Sequence, residues 1–126
     1  MIETKIYLGL NDATTKQQKH STETYVDIMK YVCNSYHVPF AFSINEGGYF
    51  HENGDYTQER ILLISLMDAD KQKAESIAKD LCAFFHQESV MVTESVVSVR
   101  FIKDDLQLKF QEGLPLSVQH PEIPLL

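Results

Sequence analysis

The chain alternates between two hydrophobic periods. Residues 4–10 place Ile6, Leu8 and Leu10 on one side and Lys5, Tyr7 and Gly9 on the other, which predicts a strand with one buried face. Residues 11–21 are polar and predict a mobile loop, a usual place for binding groups. Ser21 is a good N-cap with Glu23 in the first turn, and Tyr25, Ile28, Met29, Val32, Cys33 and Tyr36 then recur three and four apart. This amphipathic helix must stop before Pro39. Residues 40–44 alternate again and run into Gly47-Gly48. Asn53-Gly54 is a hairpin signal, and residues 60–67 (RILLISLM) form a nearly continuous apolar strand, as expected for a central position. Asp68 is the expected cap of a second helix whose apolar set is Ala74, Ile77, Ala78, Leu81, Cys82, Phe84 and Phe85. In the last strand Val90 and Val92 fall on even positions but Val97, Val99 and Phe101 on odd ones. A bulge or kink near residues 93–95 would explain the change of parity.

The order is β-α-β-β-α-β. It predicts an α+β, ferredoxin-like domain: a four-stranded antiparallel sheet, first and third strands central, two helices on one face. This domain covers residues 1–103. Residues 104–126 form a C-terminal extension in which Leu106, Leu108 and Phe110 alternate before Gly113 and Pro115. So many aliphatics would be sticky in water, so the extension is expected to cover the sheet of its own or a neighbouring subunit.

With 126 residues there is chain enough for one core and no need of disulfides or a metal. The acids outnumber the bases 18 to 11, and no Lys/Arg run occurs, so a phosphate backbone or an anionic membrane is not an expected partner. Cys33 and Cys82 sit in apolar helix faces and read as free thiols. With no signal peptide or apolar span, this points to a cytoplasmic protein. No cofactor motif occurs: there is no HExxH, Rossmann fingerprint, GxSxG or Cys/His metal spacing.

Three patches resemble a small bacterial family known as a domain of unknown function. They are Ile6-Tyr7-Leu8-Gly9, Gly54 followed by Glu59, and Phe85-His86-Gln87-Glu88-Ser89-Val90 with Val97, Val99 and Phe101 beyond it. The last looks like that family's aromatic-x-Gln-Glu-Ser-Val stretch. The resemblance spans roughly residues 4–101 and implies the same ferredoxin-like plan, with no established activity. Family members usually carry an arginine just after the first-strand glycine. Leu10 stands there in this chain, so a site built on that arginine would not operate in the same way.

Candidate chemistry gathers in two places. Around the hairpin, Tyr49, His51 and nearby carboxylates offer metal-binding or acid–base groups, although a solvated hairpin tip explains the same residues. Glu59 and Arg60 are neighbours on a strand and so face opposite sides of the sheet. Arg100, on the same open face as one of them, would help hold a small anion, and ion pairing is the structural alternative. Gln87-Glu88-Ser89 reads first as a polar knot between helix and strand. The expected ligand-binding set is therefore Tyr49, His51, Glu59, Arg60 and Arg100. The expected function is a small homo-oligomeric binding or regulatory domain, holding a polar or anionic, nucleotide-like molecule at the sheet face or subunit junction. A cofactor-free oxygenase or isomerase and a protein-interaction domain using the tail are the alternatives.

Overall fold

The computed structural model describes residues 1–50 and 52–104. The elements run β1 (Ile2–Gly9), α1 (Thr22–Ser35), β2 (Phe40–Phe50), β3 (Tyr56–Met67), α2 (Lys71–Phe84) and β4 (Met91–Val96). All pairings are antiparallel and the strand order is β2-β3-β1-β4, so the first and third strands are central. This is the ferredoxin-like βαββαβ plan.

Register divides the sheet into two faces. Ile6 lies opposite Ile64 and Leu8 opposite Leu62, and opposed residues of an antiparallel pair point the same way. These even-numbered side chains, with Leu10 and Leu66, are fully buried, and Tyr25, Met29, Val32 and Cys33 of α1 and Ala74, Ile77, Ala78 and Leu81 of α2 complete the same core. Both helices therefore cover one face. Odd-numbered positions, among them Glu3, Lys5, Tyr7, Glu59, Ile61 and Leu63, form the open face and are only partly buried. Among the described residues no helix is long and apolar enough to cross a membrane.

Both helices end alike. His37 (φ 56°) and His86 (φ 51°) adopt the left-handed conformation just past α1 and α2. The amides of His37 and Val38 return to Asn34 and Cys33, and those of His86 and Gln87 to Ala83 and Cys82, satisfying the last carbonyls of each helix. Ser21 caps α1 as expected, accepting from the Thr24 amide.

Four local expectations change. The cap of α2 is Asp70, which accepts from the Gln72 amide. Asp68 instead exchanges bonds with Ile2, where its φ of 56° turns the chain out of β3. Strand β2 continues through Gly47-Gly48 to Phe50, because Gly47 and Gly48 pair with Glu59 and Gln58 and leave room for the Ile61 and Tyr56 side chains. The change of parity in the last strand marks its end rather than a bulge: β4 is regular, and its final ladder bond runs from the Val97 amide to the Met1 carbonyl. The loop after β1 is tied down, as set out below.

Beyond Gly9↔Ile61, β3 pairs only with β2, from Glu46↔Arg60 to Phe50↔Tyr56. These residues make a two-stranded arm. Its inner part is held from the end of β1, by the Leu10 amide on the Arg60 carbonyl, the Asn11 amide on Glu59 and the Asn11 side chain on the Gln58 carbonyl, and its outer part projects about 7 Å at ~3.3 Å per residue. Near its tip Phe50 and Tyr56 meet at a tilt of 55° with ring centroids 5.2 Å apart yet remain 74% and 57% exposed. A two-stranded ribbon on its own is marginally stable in water.

Candidate functional site

At the β1 end of the arm the open face carries a carboxylate seated between two glycines. Glu59 projects from β3 with Gly9 of β1 on one side and Gly47 of β2 opposite it in register. A Cβ at Gly9 would lie 2.6 Å from the Glu59 carboxyl group, so the missing side chain is what lets the carboxylate lie flat on the strand. The Asn11 amide donates to Glu59 Oε2 at 3.1 Å. No other protein partner is seen for this carboxylate among the described residues.

Glu59 forms one wall of a cleft of about 270 Å³, together with Asn11, Asp12, Lys16, Tyr49 and the Gln87-Glu88-Ser89 turn. The two loops that meet there are stapled together. The Gln87 side-chain amide donates to the Asn11 carbonyl and the Ala13 amide donates to the His86 carbonyl, while the Cys82 thiol of α2 donates to the Gln87 carbonyl and holds the turn that follows its own helix. Gln87 is thus the polar knot expected at this junction, while Glu88 and Ser89 face the cleft.

Asp12 holds the 11–17 loop. Its carboxylate is buried; Oδ1 accepts from the amides of Thr14 (2.8 Å) and Thr15 (3.1 Å), and Oδ2 meets His86 Nδ1 (2.7 Å) and Lys19 Nζ (3.3 Å). The His86 bond chiefly, then the Thr15 and Thr14 amides and Lys19, holds this carboxyl well below the usual carboxylate range, although burial alone would push it upward. A depressed acid stabilises the fold fully above its unfolded value, about 3.8, and loses that stabilisation as pH falls below it. Thermal melts across pH 2 to 7 are therefore expected to show wild-type stability falling below about pH 4. Asp12→Asn should be less stable at neutral pH and show a flatter acid limb. An acid limb of equal slope in the variant would place the titrating group elsewhere.

Elsewhere the titratable groups serve the fold. Burial pushes the Cys33 thiol up to about 11. The Tyr36 hydroxyl donates to Asp80 at 2.7 Å, tying α1 to α2; that bond first, and burial second, raises the phenol. No cluster of three metal-ligating side chains occurs among the described residues.

Of the five residues expected to bind a ligand, Tyr49 and Glu59 meet in the cleft. Arg60 points to the helix face, where its guanidinium donates to Thr22 Oγ1 at 3.1 Å. Arg100 is exposed and follows the Val96↔Ile2 pair, whereas Arg60 lies by Leu10 at the other end of β1, so the two arginines do not form one anion site. His51 lies outside the described residues. Asn11, Asp12 and Lys16 were not singled out in the sequence. The available signal was the Asp-x-Thr-Thr pattern of residues 12–15, in which a short carboxylate caps the amides two and three residues on.

Fold and site together define a small ferredoxin-like domain with an acidic cleft on its open face. No protein-family model and no curated protein matches the chain. Solved structures do. A phage SAM lyase in complex with S-methyl-5'-thioadenosine is 22% identical over 75% of this chain and 79% of its own, with a TM-score of 0.59. The same lyase in its apo state gives 21%, 75%, 78% and 0.60. CutA from Pyrococcus horikoshii is 11% identical over 89% of this chain and 97% of its own, with a TM-score of 0.50. At these identities the likeness is one of fold.

Proposed function

We propose that this chain binds a small cationic, nucleoside-like ligand of the S-adenosylmethionine class in the Glu59 cleft, and that a second copy closes the cleft. The observation that carries the reading is the Glu59 carboxylate, half-buried, held by one backbone amide and otherwise unpartnered among the described residues. A partly desolvated carboxylate favours a positive partner. Glu88 adds a second acid and Asp12, already paired with Lys19, a third, while Lys16 is the cleft's basic side chain. A sulfonium is such a cation, and the ribose hydroxyls of a nucleoside suit Asn11, Gln87 and Ser89. The acids turn the reading away from the anion that two converging arginines would have held. The thioadenosine bound by the phage lyase supports the ligand class.

Closure by a second copy rests on size and on the arm. At about 270 Å³ the cleft is smaller than the roughly 300–1,000 Å³ of ordinary small-molecule pockets, and it is open. The arm beside it carries aromatic surface that one subunit leaves in water. Gln87, Glu88 and Ser89, from the stretch that resembles the uncharacterised bacterial family, line the same cleft.

Titration calorimetry of the full chain with S-adenosylmethionine tests the proposal. Binding is expected, weakened about 10- to 100-fold by Glu59→Gln, the range for losing a hydrogen bond to a charged group. No binding, or equal binding by the variant, would overturn it. Native mass spectrometry is expected to show an oligomer, and a liganded monomer would remove the shared cleft. Catalysis is the second reading, favoured by Tyr49 and Glu59 lining one cleft. Displacement of sulfur from the aminobutyryl γ-carbon of S-adenosylmethionine by that molecule's own carboxylate breaks one C–S bond, forms a C–O bond that closes a lactone, and returns the electron pair to sulfur as S-methyl-5'-thioadenosine, whose release over time separates an enzyme from a binding module.

A further inference from the structure

Past the end of β1 the Glu59 cleft continues around β3 into a second depression. This depression, of about 390 Å³, shares Asn11 and Glu59 with the cleft and adds Gln18, Glu46, Gln58 and Arg60. Glu59 and Arg60 are neighbours on β3, so their side chains leave on opposite faces of the sheet. One ligand can reach both, because β1 stops pairing at Gly9 and, among the described residues, Asn11 alone follows Leu10 along that edge of β3.

Arg60 is equipped to hold a carboxylate. Glu46 stands directly opposite it in register, where opposite charges normally attract. Yet Glu46 Oε2 accepts from the Gln58 side-chain amide, and the guanidinium turns to Thr22 Oγ1. Among the described residues no carboxylate lies within ion-pair distance of Arg60. Thr22 takes one of the guanidinium's five donors, which leaves a fork for a bidentate partner. Thr22 is also the first residue of α1, whose positive end favours an anion beside it.

We infer that Arg60 binds the carboxylate of the ligand whose cationic centre rests on Glu59, so that the site selects an S-adenosyl amino acid over the corresponding amine. The inference rests on the reading proposed above and adds its anionic half. In S-adenosylmethionine a short aliphatic chain separates sulfonium from carboxylate, so the two charges straddle β3 while the nucleoside stays in the cleft. The sign of the preference is diagnostic. Glu46, Glu59 and Glu88 by themselves repel a ligand carboxylate and favour the amine. A preference for the amino acid needs a cation placed to meet it, and Arg60 and Lys16 are the cations lining the two depressions.

Titration calorimetry of the full chain compares S-adenosylmethionine with its decarboxylated form, which keeps the sulfonium, the amine and the nucleoside. The wild type should bind S-adenosylmethionine at least about tenfold more tightly, the order expected for a charged, hydrogen-bonded pair. In Arg60→Gln the ratio of the two affinities should fall to about one or invert, whereas Glu59→Gln should weaken both ligands alike. Equal binding by the wild type, or tighter binding of the decarboxylated form, would overturn the inference and leave the Glu59 reading standing; this comparison needs no variant. A preference kept in Arg60→Gln would also overturn it, by placing the carboxylate on another group such as Lys16. Failure of the wild type to bind either ligand would overturn the inference and the Glu59 reading together.

Discussion

Replacing Ile64 with alanine is expected to lower the free energy of unfolding by about 3–4 kcal/mol, within the range for removing a large aliphatic from a closed core. Ile64 sits mid-sheet, opposite Ile6 on one side and Phe42 on the other, with no exposed surface. Helix residues close over this face of the sheet, so a truncated side chain leaves a cavity that the rigid strands cannot collapse. The loss is a large share of the roughly 5–15 kcal/mol that holds a typical domain together. Urea denaturation followed by circular dichroism measures it. Leu63→Ala, one residue away but on the half-covered open face, should cost about 1 kcal/mol. Equal losses at the two positions would contradict the division of the sheet into a closed and an open face.

Gly9→Ala is expected to separate binding from folding. The new methyl would meet the far end of the Glu59 side chain, which can swing aside, and not backbone. Stability should therefore change by less than about 1 kcal/mol, since alanine also restricts the unfolded chain. The displaced carboxylate loses its bond from the Asn11 amide and its seat in the cleft. On the reading proposed above, affinity for S-adenosylmethionine should then fall about 10- to 100-fold, the loss also expected on removal of the charge. Calorimetry and a melting curve on the same sample decide the matter. Unchanged affinity would show that the position of Glu59 between its glycines is not what binds, and a collapse in melting temperature would show that Gly9 serves packing first.

The fold was legible because each element announces its own period. Ile6, Leu8 and Leu10 alternate, Tyr25 to Tyr36 repeat at helical spacing, and both patterns survive into the buried face they predict. The site was legible in part. Glu59 stood out as a charge at the mouth of an apolar strand, and Tyr49 as an aromatic beside two glycines. What joined them to Asn11, Asp12 and the 87–89 turn was contact between loops some 75 residues apart, through pairs such as Asp12–His86 and Asn11–Gln87. No local pattern encodes such pairs. The arginines misled for a related reason: strand parity gives the face but not the end of the sheet, and Arg60 and Arg100 lie at opposite ends. A polar loop also looks mobile until its Asp is seen to cap its own amides.

The strand order has a consequence for how the protein is made. β1 precedes the other described elements in the chain, yet its neighbours are β3, which ends at Met67, and β4, which ends at Val96. At roughly 5–20 residues per second, the apolar side of β1 waits several seconds for β3 and longer for its other edge. During that interval Ile6, Leu8 and Leu10 have only α1 to shelter against, and two backbone edges stand open. The nascent chain therefore carries an apolar, unpaired strand until β3 has emerged, so chaperone supply and translation speed should affect soluble yield.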